Sequence, residues 1–311
     1  MKKLNKYLFA AREFALICLL TILGFTVTAQ DTKDSIQVAT DAKEPAPVAK
    51  KKPVKNTFES NWIQDNQSVM VPIKGTFEMD IQHRFGTVNK GGKDFFGLYA
   101  PSNIRIGLSY VVINKLQFGF GFTKDRLQWD INGKYAIVKQ VKSGGWPVSI
   151  SWFSNFVIDA RPKENFVTYG DRLSFFNQLL IARKLTDKFS AQVAPSHSHY
   201  NNVEGYFDEN GKIHPKMKND HFAIAFMGRY KMTPKTNLML NYDQPITQHP
   251  MDNPHPNISF GLEMVTSAHA FQVFAGNYHG IIPQSNNYYN QNDFTKGQFL
   301  IGFNITRLWN F

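Results

Sequence analysis

From Lys74 onward, apolar and polar residues alternate over stretches of about ten positions, and this period of two constrains the fold more than any other feature of the chain. A strand turns successive side chains to opposite faces, so each stretch has one apolar and one polar side. In 76–85, Phe77, Met79, Ile81 and Phe85 share a face, while Glu78, Asp80, Gln82 and Arg84 take the other. The pattern returns in 103–112, 116–123, 127–135 and 148–156. It recurs, less regularly, in 172–183, 188–196, 220–232, 236–243, 257–265, 269–277 and 297–311. That makes twelve candidate strands, the even parity that a single-chain barrel needs if both termini lie on the periplasmic side.

Two architectures absorb a dozen strands with one apolar face each. A water-soluble sandwich buries those faces against each other, but its strands average about five or six residues. In hydrocarbon an unpaired backbone N–H or C=O costs several kcal/mol, so a sheet survives there only when closed. The expected fold is therefore all-β, a closed antiparallel transmembrane β-barrel of about twelve strands. A helical membrane bundle is excluded, because only residues 14–29 form a continuous apolar run.

Connection lengths bear on orientation, since such barrels have short periplasmic turns and longer outer loops. With the first strand running outward, the turns fall at Ile113-Asn114, Lys142–Gly145, Thr186-Asp187, Thr233–Lys235 and Ser267-Ala268. The outer loops are then 86–101, 124–125, 160–171, 197–219, 244–256 and 278–296. The tight Lys124-Asp125 turn alone departs from the rule.

Ahead of the strands, residues 1–29 read as a secretory signal. Lys2, Lys3, Lys6 and Arg12 precede an apolar core, Phe14–Phe25, and Val27-Thr28-Ala29 forms a small-residue cleavage site. The sole cysteine, Cys18, would leave with it, which excludes disulfides, thiolate catalysis and cysteine-bound zinc from the mature chain. Cleavage removes four Lys/Arg and Glu13, so the formal charge falls from +11 to +8. For an exported chain, that balance points to outer-membrane lipids and lipopolysaccharide as partners rather than nucleic acid. Residues 30–57, rich in Lys, Pro and Ala without apolar periodicity, read as a disordered periplasmic linker, and 58–311 as the barrel.

The last stretch carries Phe299, Ile301, Phe303, Ile305, Trp309 and Phe311 on one face, with Arg307 as its polar exception. A C-terminal aromatic preceded by alternating apolar residues resembles the signal by which the barrel-assembly machinery recognises its clients. Trp309 and Phe311 would carry that signal. Tyr110, Trp146, Tyr230 and Trp309 near strand ends suit interfacial girdles.

If the alternation holds, the lumen is lined by Glu78, Asp80, Arg84, Arg105, Asp130, Lys134, Arg172, Arg229, Lys231, Glu263 and Arg307. Charges of both signs suit either interlocked pairs that fill a narrow barrel or the walls of a selective pore for a small solute. Open aqueous channels belong to wider barrels, so side chains and loops should partly fill twelve strands.

Seven of the nine histidines fall in or beside outer loops. His197 and His199, two apart on one strand face, and His221 are the candidate metal ligands, with Asp208, Glu209 or Asp220 supplying oxygen. No H-E-x-x-H or comparable ligand spacing accompanies them. His83 and His269 lie inside strands, where a histidine more often donates to a luminal carboxylate than acts in catalysis. Ser196, Ser198 and Ser259 are the available nucleophiles for an alternative reading, an outer-membrane lipid hydrolase, but no nucleophile elbow surrounds them. No nucleotide-binding loop is present either, and no cofactor is expected.

The segments His83-Arg84-Phe85-Gly86, Phe95-Phe96-Gly97-Leu98, Asn103-Ile104-Arg105-Ile106-Gly107-Leu108, Thr266-Ser267-Ala268-His269-Ala270-Phe271-Gln272 and Gly302-Phe303-Asn304-Ile305-Thr306-Arg307 together resemble a family of outer-membrane β-barrel proteins from Bacteroidota classed as a domain of unknown function. The likeness spans roughly residues 58–311. It implies a barrel fold and an outer-membrane location, and no substrate, reaction or cofactor. The sequence thus predicts a non-enzymatic outer-membrane barrel, either a narrow channel for small solutes or a surface-anchored binding platform.

Overall fold

The computed structural model describes residues 53–310. The expected signal with Cys18, most of the expected linker and Phe311 lie outside the described residues. The chain forms two short strands, β1 (Trp62–Ile63) and β2 (Asn66–Gln67), followed by β3 (Thr76–Thr87), β4 (Asn103–Ile113), β5 (Leu116–Thr123), β6 (Gln128–Val138), β7 (Ser149–Asp159), β8 (Leu173–Lys184) and β9 (Phe189–Tyr200). After them come a small hairpin, β10 (Gly205–Phe207) and β11 (Ile213–Pro215), and then β12 (Asp220–Lys231), β13 (Thr236–Pro245), β14 (Asn257–Val265), β15 (His269–Gly276) and β16 (Leu300–Asn310). One helix of two turns, α1 (Pro283–Tyr289), precedes the last strand.

Strands β3–β9 and β12–β16 make a closed antiparallel barrel of twelve strands, each paired with its sequence neighbours, and β16 closes onto β3. Ile305 faces Ile81 across that join, and Trp309 faces Phe77. On β3, Glu78, Asp80, Gln82 and Arg84 are buried in the interior, while their neighbours point outward. Around the wall Leu108, Phe118, Phe120, Trp129, Ile131, Leu240, Phe260 and Leu262 stay exposed on the outside, which gives the barrel an apolar outer surface. A slip of one residue would reverse every face, so this pattern also fixes the register.

Connections alternate in length. Five of at most ten residues join strands at one end, and longer ones join them at the other. The exception is Lys124–Leu127 between β5 and β6, which is short yet lies at the long-loop end. Leu127, expected to begin a strand, belongs to this turn, because both Arg126 and Leu127 adopt left-handed backbone, φ 54° and 48°.

The interior is filled by an element that alternation did not predict. The chain enters at the short-turn end, where Pro53 bridges Val141 and Val54 N donates to Gln140 O at 2.7 Å. Residues 53–57, expected to be linker, are therefore docked on the barrel, and Thr57 is buried. The chain then climbs the lumen, reverses between β1 and β2 at Gln64 (φ 59°), and descends to begin β3.

The inserted hairpin is two-faced, and so is the wall around it. Phe58, Ile63 and Val69 pack against Phe153, Phe176, Leu180, Met227 and Met239, where Ala182, Ala194 and Ala225 leave room for them. Burial of each large side chain contributes roughly 1.5–3 kcal/mol. On the other side Ser60 Oγ donates to Glu263 at 2.6 Å and Gln272 Nε2 donates to Trp62 O at 2.8 Å. There too, Asn304 Nδ2 donates to Gln64 O at 2.6 Å. The last two satisfy backbone carbonyls that would otherwise be buried without partners.

Candidate functional site

Inside the barrel, most charged side chains are taken up by one another and by the hairpin, while Arg84 Nε and Nη2 have no hydrogen-bond partner. Arg105 clamps Asp130 with Nε and Nη2, both at 2.8 Å, reaches Asp80 with Nη1 at 2.7 Å, and lies 5.5 Å from the Trp62 ring. Lys134 Nζ donates to Gln67 at 2.9 Å and to Ser68 O at 3.2 Å, and Asn61 Nδ2 donates to Glu78. Arg229 pairs with Glu59 at 2.9 Å, with Lys231 Nζ beside the same carboxylate at 3.7 Å, and Arg84 stacks on Phe274.

Several candidates lie elsewhere. Arg307 is exposed on the outer face, its guanidinium 4.7 Å from the Trp309 ring, because it shares the parity of Ile305 and Trp309. Arg172 stands in a turn before β8 rather than in the wall. His83 and His269 do not meet luminal carboxylates: His83 stacks on Phe303 at 5.0 Å and His269 on Phe271 at 5.8 Å.

His197, His199 and His221 do not converge. His197 Nε2 and His199 Nδ1 both bond Asp220 Oδ1 at 2.8 Å on the outer face. His221 points inward, its Nδ1 2.9 Å from His249 Nε2. Among the described residues no group of three or more His, Cys, Asp or Glu is arranged to hold a metal ion.

The His221–His249 pair also bears on the hydrolase alternative. His249 Nδ1 accepts from Lys218 N at 2.9 Å, so its proton sits on Nε2 and is donated to His221 Nδ1. Neutral His221 then carries its proton on Nε2, the wrong tautomer for a base facing its cross-strand neighbour Ser198. Ser196 and Ser259 donate to Ala223 O and Gln64, and among the described residues none of the three serines bonds a histidine.

A concave feature lies at the long-loop end, a cavity of about 220 Å³ whose lining includes Arg126, Arg161, Arg172, Phe166, Tyr200 and Tyr289. Arg126 projects from the left-handed turn after β5 and lies 4.1 Å from the Tyr289 ring, and Arg172 lies 4.4 Å from the Phe166 ring. Arg161 is tied to Asp159 at 2.7 Å. Asp171 accepts from Val167 N and Thr168 N in a capping box, and the Thr168 amide holds its carboxyl below the usual range. Glu204 and Tyr289 continue into a second cavity of about 290 Å³ beside Lys216 and Asp252.

Helix α1 is the floor of this cleft and the cap of the lumen. Tyr288 and Tyr289 pack on Tyr200 at 4.7 and 5.3 Å, Tyr288 also abuts His249, and Asn286 Nδ2 donates to Asp65 at the tip of the inserted hairpin at 2.5 Å. Neither α1 nor Arg126 was marked as functional by sequence. The one available signal was the short turn among long loops.

Residues 58–309 match the family described as a membrane-bound β-barrel domain, DUF5777. Solved structures with similar folds include an outer-membrane channel from Pseudomonas putida F1 (12% identity, TM-score 0.48, 77% of this chain and 97% of that one). The NanC porin (8%, 0.45, 76% and 99%) and the KdgM porin (10%, 0.42, 75% and 99%) are also similar. No curated protein matches the sequence.

Proposed function

The chain belongs to the membrane-bound β-barrel domain family DUF5777, and we propose that it serves as a closed outer-membrane platform whose long-loop end binds a ligand. One observation carries this reading. The luminal faces of β7, β8, β9, β12 and β13 bear apolar and small residues matched to Phe58, Ile63 and Val69, a surface suited to a permanent core rather than to a water-filled pore.

In this reading the signal 1–29 exports the chain across the inner membrane of a Bacteroidota cell. Both termini stay periplasmic, the assembly machinery reads Trp309 and Phe311, and the basic mature chain meets anionic lipopolysaccharide. A narrow solute channel is the second reading, favoured by the polar half of the wall around Asp80, Gln82, Arg105 and Asp130, which water would solvate if the hairpin withdrew.

Planar-bilayer recording separates the two. The intact mature chain should give no conductance steps, and removal of residues 53–71 should create them. Steady steps from the intact chain would turn the assignment to the channel.

A further inference from the structure

Resting on the platform reading, we propose that the cleft binds a small sugar acid, a polyhydroxylated monocarboxylate of one ring, with its carboxylate held between Arg126 and Arg172. Four observations lead there.

Size comes first. The cavity lined by the two arginines, about 220 Å³, falls below the roughly 300–1,000 Å³ of pockets for drug-sized ligands and takes one ring, the second cavity beyond Glu204 and Tyr289 lying away from both cations.

The cations are uncompensated. Arg161 is neutralised by Asp159 and Glu204 is shared with Lys216 at 3.5 Å, but neither Arg126 nor Arg172 forms an ion pair among the described residues. Ring stacking covers one face of each guanidinium; Arg172 Nη1 is held by Asp159 O at 2.9 Å and Arg161 O at 2.7 Å, which fixes the side chain and leaves its Nε and Nη2 edge, with the Arg126 guanidinium, for a planar acceptor.

The same lining limits the charge of the ligand. Asp171, which has no cationic partner among the described residues, also lines the cleft and would repel a dianion, which selects a carboxylate over a phosphate. The amides of Gln128, Asn165 and Asn202 complete the lining with neutral groups that suit hydroxyls.

Arg126 is placed at a cost. It and Leu127 hold left-handed backbone in the one short turn of the long-loop end, and strain of this kind in a non-glycine residue gathers at ligand clamps.

Titration calorimetry on the detergent-solubilised full chain tests the assignment with glucuronate, glucose and glucose 6-phosphate as probes. Glucuronate should bind saturably, and glucose and glucose 6-phosphate at least about tenfold more weakly. Arg126→Gln should weaken glucuronate roughly ten- to hundredfold, the loss expected for a hydrogen bond to a charged group. Arg126→Lys should recover part of it, and Arg307→Gln, on the outer wall, should change nothing, with gel mobility of all variants as the folding control.

Equal binding of glucose, tighter binding of glucose 6-phosphate, no heat with glucuronate, or indifference to Arg126→Gln each overturns the assignment. The platform reading fails separately, by conductance of the intact chain.

Discussion

Arg105→Leu should be among the most damaging single changes in the barrel wall. One guanidinium serves Asp130 through two bonds and Asp80 through a third, all three side chains being buried. Removing one partner of a buried pair costs about 3–5 kcal/mol, because the remaining charge loses its compensation without regaining water. Here two carboxylates are stranded, so the upper end, about 5 kcal/mol, is expected. At about 2–4 °C per kcal/mol for a domain of this size, the midpoint of heat-induced mobility change on semi-native gels should fall by about 10–20 °C. Adding Asp80→Asn and Asp130→Asn to Arg105→Leu should restore at least half of that loss, since no charge is then left unpaired. A single variant within about 3 °C of the parent, or a triple variant no more stable than the single one, would refute the reasoning.

Two further outcomes concern the long-loop end. The Asp208 carboxylate accepts from Lys212 N and Asn210 N and meets His214 Nε2, each at 2.9 Å, and the Lys212 amide first, then His214, holds it below the usual range. A depressed folded value means its contribution is complete above the unfolded value of about 3.9 and is lost as pH falls below that. Hydrogen-exchange protection of 205–215 should therefore fade only in acid, and Asp208→Asn should remove it at neutral pH; equal protection in the variant would contradict this. Gly97 has φ +84°, and a Cβ there would strike Gly86 O, so Gly97→Ala should cost about 1–3 kcal/mol locally and open 88–102 to protease while leaving barrel mobility unchanged. Equal protease resistance would show that this backbone is not required.

The wall was legible because its information is local. A period of two needs no knowledge of partners, and 116–123 and 257–265 coincide with β5 and β14. What fills the wall was not legible. In 58–71 only two pairs of residues are paired as strands, too few to show a period, and its contacts reach about 200 residues along the chain, as from Ser60 to Glu263. Arg307 misleads for another reason: an arginine at a strand end can lay its stem on Trp309 and keep its charge at the interface, so composition alone suggests a luminal role that parity denies. The cleft depends on Arg126, Phe166, Tyr200 and Tyr289 from four separate connections or strand ends, and no spacing in sequence brings them together.

The two elements that fill the lumen hang from the two strands that seal the wall. The inserted hairpin runs directly into β3, α1 leads into β16, and β3 and β16 are the pair that join last in sequence terms. Once that seam is zipped, neither a folded hairpin tip nor its Asp65–Asn286 contact has an opening in the side wall through which to arrive. The Asp65–Asn286 bond therefore ties the segment that opens the barrel to the segment that closes it, so that the filling braces the seam from within.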